Sequence, residues 1–205
     1  MNTTRTAPSA ASADRPMRAD ARRNSELLLA RAAEAFAERG ADDVSLEEIA
    51  RRAGVGIGTL YRHFPNRQSL LEAVFRDQVE GLARRAENLR TADDKGAAFM
   101  EWLGAIVAFG TTKRSMTASL LASPGEGAEL YSACKSIMQD STASLLEQAQ
   151  AVGAVRADVQ VADVQRLTHA LVLASEAAGD PGQAGRMLSM VMGGLLRRAP
   201  GEDPG

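Results

Sequence analysis

The stretch from Ser45 to Phe64, SLEEIARRAGVGIGTLYRHF, constrains the fold more than any other part of the chain. Ser45 stands three residues before Glu48, the spacing of a capping box that starts a short helix. Leu46, Ile49 and Ala50 turn inward, and Ala53-Gly54 ends the segment. Ala50 is small where two helices cross, and Gly54 suits the left-handed backbone of a sharp turn. A second short helix is expected from about residue 56 to residue 63. Pro65 stops it, because the residue before proline avoids helical dihedrals. Val55, Leu60 and Phe64 supply the apolar contacts that hold it against its neighbours. The whole reads as a helix-turn-helix, whose second helix can enter the major groove of a DNA duplex.

The flanking sequence is helical by the same reasoning. Leu28, Leu29, Ala32 and Phe36 recur at helical spacing over about 24–39, and Gly40 caps that helix. Asn66 caps a long fourth helix that carries Leu70, Leu71, Val74, Phe75, Val79 and Leu82 and ends near Leu89. Further helices are expected over 95–109, 112–121, 129–151, 161–178 and 183–198. The breaks between them are Ser123-Pro124-Gly125, Gly153 and Gly179-Asp180-Pro181-Gly182. No alternating strand pattern and no internal repeat is present, and the abundance of Ala, Leu and Arg favours helix. The fold class is therefore all-α. A disordered arm (1–21) should precede a helix-turn-helix DNA-binding domain (22–81). A helical effector-binding and dimerisation domain (82–198) and a disordered tail (199–205) should follow.

Composition excludes several function classes. No apolar run reaches 18 residues, so no membrane span is expected, and the N-terminus lacks the apolar segment of a secretory signal. Cys134 is the only cysteine, which excludes an internal disulfide and a cysteine-built zinc site. A cytoplasmic location fits. The net charge of −2 argues against a uniformly basic nucleic-acid coat, yet residues 1–24 hold five arginines against two aspartates.

The outer face of the 56–63 helix carries the functional signal. Gly56, Ile57, Gly58, Thr59, Tyr61, Arg62 and His63 are available to a partner. Each glycine costs the helix roughly 1 kcal/mol relative to alanine, so a helix made only for packing would carry alanine there. Glycine makes sense where backbone approaches another surface, and DNA is such a surface. Thr59, Tyr61 and His63 offer donors to phosphate oxygens, Arg62 reaches a phosphate or a guanine edge, and Ile57 can meet a thymine methyl. Arg67 lies in the first turn of the fourth helix, where free N–H groups and the positive dipole end favour a phosphate.

In register with one another, Phe36-Ala-Glu-Arg-Gly40, Ser45-x-x-Glu-Ile-Ala50, Ala-Gly-Val55, Gly58-Thr-Leu-Tyr-x-His-Phe64 and Arg67-x-x-Leu70-Leu71 resemble the DNA-binding domain of the TetR family of regulators. The resemblance covers about residues 22–79. It implies that Gly58 and Tyr61 approach bases or nearby phosphates, and that Ser45, Thr59, Arg62 and His63 contact the DNA backbone. Arg67 stands where the family commonly has lysine. Gly56 departs from the usual capping residue and Ile57 from an often polar one, which bears on the operator sequence. Beyond the motif region the family resemblance rests on helicity and on Gly153-Ala-Val-Arg-Ala-Asp-Val159, which looks like a turn common in some members.

The resemblance further implies a homodimer built from the last two long helices, a palindromic operator, a ligand-responsive repressor and an unknown small-molecule effector. Val164, Leu167, Leu171 and Ala174, with Met187, Leu188, Val191, Leu195 and Leu196, form stripes suited either to that interface or to the core. Phe99, Met100, Trp102, Phe109, Met116, Met138 and His169 are candidate effector-lining residues, although such stripes are more often plain core. With His63 in the DNA element, no histidine pair remains for a metal, and no cofactor is expected. An enzyme is the rival reading. Ser132-Ala-Cys-Lys135 matches a Ser-x-x-Lys pattern without its companion motifs, and Gly54-x-Gly56-x-Gly58 lacks the strand and spacing of a nucleotide loop. Glu47-Glu48 and similar acid pairs read as solvated faces or caps. A helical protein that has lost DNA binding is the other alternative, and Thr59, Tyr61, His63 and Arg67 argue against it.

Overall fold

The computed structural model describes residues 14–122, 127–180 and 182–195, and among them helix is the only extended element. The helices are α1 (Asp14–Arg39), α2 (Leu46–Ala53), α3 (Ile57–His63), α4 (Arg67–Arg90), α5 (Lys95–Ala122), α6 (Gly127–Ala151), α7 (Val161–Ala178) and α8 (Gln183–Leu195). They fall into two units that divide inside α4, between Val74 and Phe75, seven residues before the expected boundary at residue 81.

In the first unit, Leu28, Ala32 and Phe36 of α1, Ile49 and Ala50 of α2, Leu60 of α3, and Leu70, Leu71 and Val74 of α4 are buried apolar residues. The 3.6-residue spacing that picked out α1 and α4 is the spacing of this buried stripe. Helix α1, however, begins ten residues before the expected start at Asn24, so residues 14–21 are helix rather than disordered arm. Ala, Arg and Met favour helix there without an apolar stripe in the sequence to announce it, and Ala21, Arg22 and Arg23 are exposed. Pro16 sits in the first turn, where a missing N–H costs nothing. The rest of the expected arm, residues 1–13, lies outside the described residues.

The second unit gathers Leu82, Ala86 and Leu89 of α4 with Phe99, Trp102 and Leu103 of α5, Leu145, Leu146 and Ala149 of α6, Val164 and Leu171 of α7, and Leu188 of α8. Helix α5 runs unbroken through residues 110–111, where two helices were expected. Gly110 is the point at which α7 comes close. A Cβ there would lie 2.6 Å from Val172 Cγ2, so the glycine serves a close approach rather than a break. The indole Nε1 of Trp102 donates to Thr142 Oγ1 at 2.9 Å, and that hydroxyl donates onward to Met138 O at 2.7 Å. The α6–α7 turn is tied back by Gln150 Nε2, which donates to Arg156 O at 2.9 Å and Val159 O at 3.0 Å.

The apolar stripes of α7 and α8 divide between two uses. Val164, Leu171 and Leu188 belong to the core, whereas Leu173, Val191 and above all Met190 (72% exposed) face outward. The expected break at 123–125, the last residues of the 183–198 helix and the tail at 199–205 fall outside the described residues.

Candidate nucleic-acid interface

Helix α2 is seated by its ends. Ser45 adopts an extended backbone (φ −79°, ψ 153°) and its hydroxyl accepts from Glu48 N–H at 3.1 Å. Accepting this bond leaves the hydroxyl proton available to a phosphate oxygen. The reciprocal half of the expected capping box is not made. The Glu48 carboxylate turns instead to the guanidinium groups of Arg39 and Arg52, and Arg52 Nη1 continues to Glu38 Oε2 at 2.7 Å. This cluster pins α2 to the end of α1, so Glu48 organises the two helices in place of the capping or solvated role expected of it. The two arginines hold its carboxyl below the usual range. Its contribution to folding is therefore complete above the ordinary carboxylate pKa and fades as pH falls through the lowered one. The i,i+4 spacing of Glu48 and Arg52 was the one sequence signal for it.

The turn into α3 is short and well defined. Gly54 has φ 69°, in the left-handed region, and Val55 N–H donates to Ala50 O at 3.0 Å, closing a Schellman-type end to α2. Gly56 then caps α3 through its backbone alone, accepting from Thr59 N–H at 2.8 Å.

Helix α3 turns almost its whole surface outward. Leu60 is its only buried residue, and Phe64 seats the chain just beyond it. Ile57 (37% exposed) and Tyr61 (45% exposed) lie four residues apart and share one side of the helix. Gly56, Gly58 and Arg62 are exposed, while Thr59 and His63 are half-buried. A Cβ added at Gly56 or Gly58 would meet no atom within 4 Å, so nothing inside the chain requires glycine at either place. The structure thus gathers Gly56, Ile57, Gly58, Thr59, Tyr61, Arg62 and His63 on one short helix and its cap, with Ser45 at the start of α2.

Arg67 departs from the expectation. Its guanidinium is half-buried and donates to the carbonyls of Ala41 and Val44 in the α1–α2 connection. Those carbonyls follow the end of a helix and need donors, so the arginine closes a loop where the sequence reading put it on a phosphate. The start of α4 is capped by Asn66, whose Oδ1 accepts from Ser69 N–H at 2.8 Å.

The second unit holds a cavity of about 750 Å³ lined from α5, α6 and α7, its walls including Ile106, Phe109, Lys113, Met138, His169 and Val172. Three of the candidate effector-lining residues, Phe109, Met138 and His169, stand on its wall. Phe99, Trp102 and Met116 do not; they are sealed in the protein interior, because helical spacing alone cannot say which side of α5 a cavity occupies. Lys113 escaped the sequence reading, because it stands in the polar run Thr111-Thr112-Lys113-Arg114-Ser115, which reads as a solvated face. Among the described residues, no three His, Cys, Asp or Glu side chains converge as a metal site requires, and no helix is long and apolar enough to cross a membrane.

These features recur in proteins of one family. Residues 28–74 match the model for bacterial regulatory proteins of the TetR family, and residues 94–197 match that for the C-terminal domain of SbtR-like transcriptional regulators. An HTH-type transcriptional regulator of Staphylococcus aureus (strain USA300) is 36% identical over 64 residues, 31% of this chain. That match spans about a third (35%) of the relative's length. A TetR transcription regulatory protein from Mycobacterium vanbaalenii is 32% identical, with a TM-score of 0.72 over 89% of this chain and 100% of that one. A TetR transcriptional regulator from Streptomyces coelicolor is likewise 32% identical, with a TM-score of 0.73 over 85% of this chain and 99% of that one. With both units matched, and with these relatives alike over nearly their whole length, the chain belongs to the TetR family of transcriptional regulators.

Proposed function

We propose that the chain is a ligand-responsive repressor that binds a palindromic operator as a homodimer, with α3 in the major groove. The observation that carries this reading is the surface of α3. Six of its seven residues are left partly or fully open to solvent, and neither Gly58 nor the capping Gly56 has a packing reason to be glycine. Bare backbone at Gly56 and Gly58 lets the helix sit deep in a groove. Tyr61 and Arg62 then reach base edges or phosphates, and Ser45, Thr59 and His63 reach the sugar–phosphate backbone.

Dimerisation is assigned to α7 and α8, where Leu173, Met190 and Val191 leave an apolar surface uncovered in the single chain. A second copy related by a two-fold axis would cover it and place two α3 helices on two half-sites. The effector is assigned to the cavity between α5, α6 and α7. It acts by favouring one of two conformations of the dimer, with α4, which is continuous across both units, as the coupling element. Such a protein works where chromosomal DNA is, in the cytoplasm, and this reading assigns it no reaction. The Ser132/Lys135 pattern lies on exposed positions of α6, and ester or amide turnover abolished by Ser132→Ala would favour the enzyme instead.

The test begins with genomic fragments retained by the purified protein. In a fluorescence titration of such a fragment, Tyr61→Ala and His63→Ala should each weaken binding by roughly tenfold or more, with the thermal midpoint unchanged. The stoichiometry should be an even number of chains per palindrome, and affinity should fall steeply with salt. Unchanged affinity in both variants would remove α3 from the interface.

A further inference from the structure

We infer that the cavity between α5, α6 and α7 takes an organic anion, an apolar body bearing one carboxylate that pairs with the ammonium of Lys113. This rests on the reading that the cavity is the effector site, and it names the chemistry of the effector.

Lys113 is only 7% exposed, yet it stands on the cavity wall. An ammonium taken out of water is costly unless a counter-charge is supplied, and burial here pushes the Lys113 pKa down. The one carboxylate that favours its charged form is Asp77 of α4, which is not among the residues lining the cavity. Among the described residues, Lys113 forms no ion pair that would use up its donors.

The rest of the wall has a consistent sign. None of the described residues on it is Asp or Glu, while Lys135 and Arg166 add positive charge and His169 adds an imidazole. These three are exposed, and Arg166 shares its charge with Asp163 at 3.4 Å. The single desolvated charge is therefore that of Lys113. Ile106, Phe109, Met138, Val172 and Leu173 make much of the remaining surface apolar, and Thr117, Thr142 and Gln165 add neutral polar groups. A largely apolar wall with one buried cation, and no acid among its described residues, suits a ligand with an apolar body and a single negative head. A cationic ligand would meet like charge, and a neutral one would leave the buried ammonium without a direct partner.

The chain carries its own reporter. Trp102 is the sole tryptophan, and its indole donates to Thr142 Oγ1, a group on the cavity wall. Decanoate, 1-decanol and decylamine share one apolar chain and differ in head charge. They are titrated into the full-length protein without DNA, and binding is read by Trp102 fluorescence and by calorimetry. Decanoate should bind at least tenfold more tightly than either of the others. Lys113→Met should erase that preference by weakening decanoate while leaving 1-decanol unchanged or tighter. Lys113→Arg should keep the preference. Equal affinity for decanoate and 1-decanol in the natural protein, which needs no variant to fold, would overturn the inference. So would unchanged decanoate affinity in Lys113→Met, or no saturable decanoate binding. Because no DNA is present, such a failure is distinct from a failure of the operator reading, which the Tyr61 and His63 variants test.

Discussion

Gly58→Glu is expected to weaken operator binding on the order of 100-fold while the protein stays folded. Position 58 lies inside α3, exposed, and a Cβ there meets nothing within 4 Å, so the chain itself does not obstruct a side chain at its root. The proposed groove does. A carboxylate at this point would hold the helix away from the bases and set a negative charge against phosphates, two losses that act together. Gly58→Ala separates the causes. Alanine lowers the backbone entropy cost in an exposed helix and should stabilise the protein by up to about 1 kcal/mol. The same methyl should cost operator affinity, roughly tenfold. Stability and binding are thus expected to move in opposite directions for one small change. A Gly58→Ala protein that melts higher and binds DNA as well as before would show that the glycine is not there for DNA.

Trp102→Ala should destabilise the protein by about 3–5 kcal/mol, lowering the thermal midpoint by on the order of 10 °C or more. Trp102 is fully buried among α5 and α6 side chains, and no small residue can refill its volume. Its partner adds little to the loss, because Thr142 Oγ1 still donates to Met138 O once the indole is gone. The reverse change is informative. Thr142→Val keeps the shape but strands the indole N–H, and should cost about 1–3 kcal/mol. Circular dichroism melts order the two variants. A midpoint for Trp102→Ala within a degree or two of the natural protein would mean that this core is not what holds the second unit together.

Much of the fold was legible because the helices of this chain bury apolar stripes at regular spacing and stop at glycine or proline. Gly40, Gly54 and Pro65 bounded the first three helices close to where the structure ends them. The same logic failed where no stripe exists or where glycine serves packing. The start of α1 carries no regular apolar stripe in its sequence, and Gly110 makes room for Val172 inside one long helix. The exposed residues of α3 could be named from sequence because exposure follows directly from Leu60 and Phe64 being the inward anchors. Arg67 could not, since a side chain of that length chooses between phosphate and loop carbonyls by tertiary geometry alone. The Arg39–Glu48–Arg52–Glu38 cluster joins residues on two helices, so only its Glu48–Arg52 half had a local signature, and Lys113 is distinguished by burial alone.

Thiol protection probes α3 at the DNA. Cys134 is the only natural cysteine; it is buried, and its thiol is pushed up to about 11, so it reacts slowly with alkylating reagents at neutral pH. Ile57→Cys adds a reactive thiol on the exposed side of α3, and Ser132→Cys adds one on exposed α6 for reference. Saturating selected operator should slow maleimide labelling at position 57 by at least tenfold and leave position 132 unaffected. Labelling at position 57 that proceeds equally fast on bound and free protein would take α3 out of the groove.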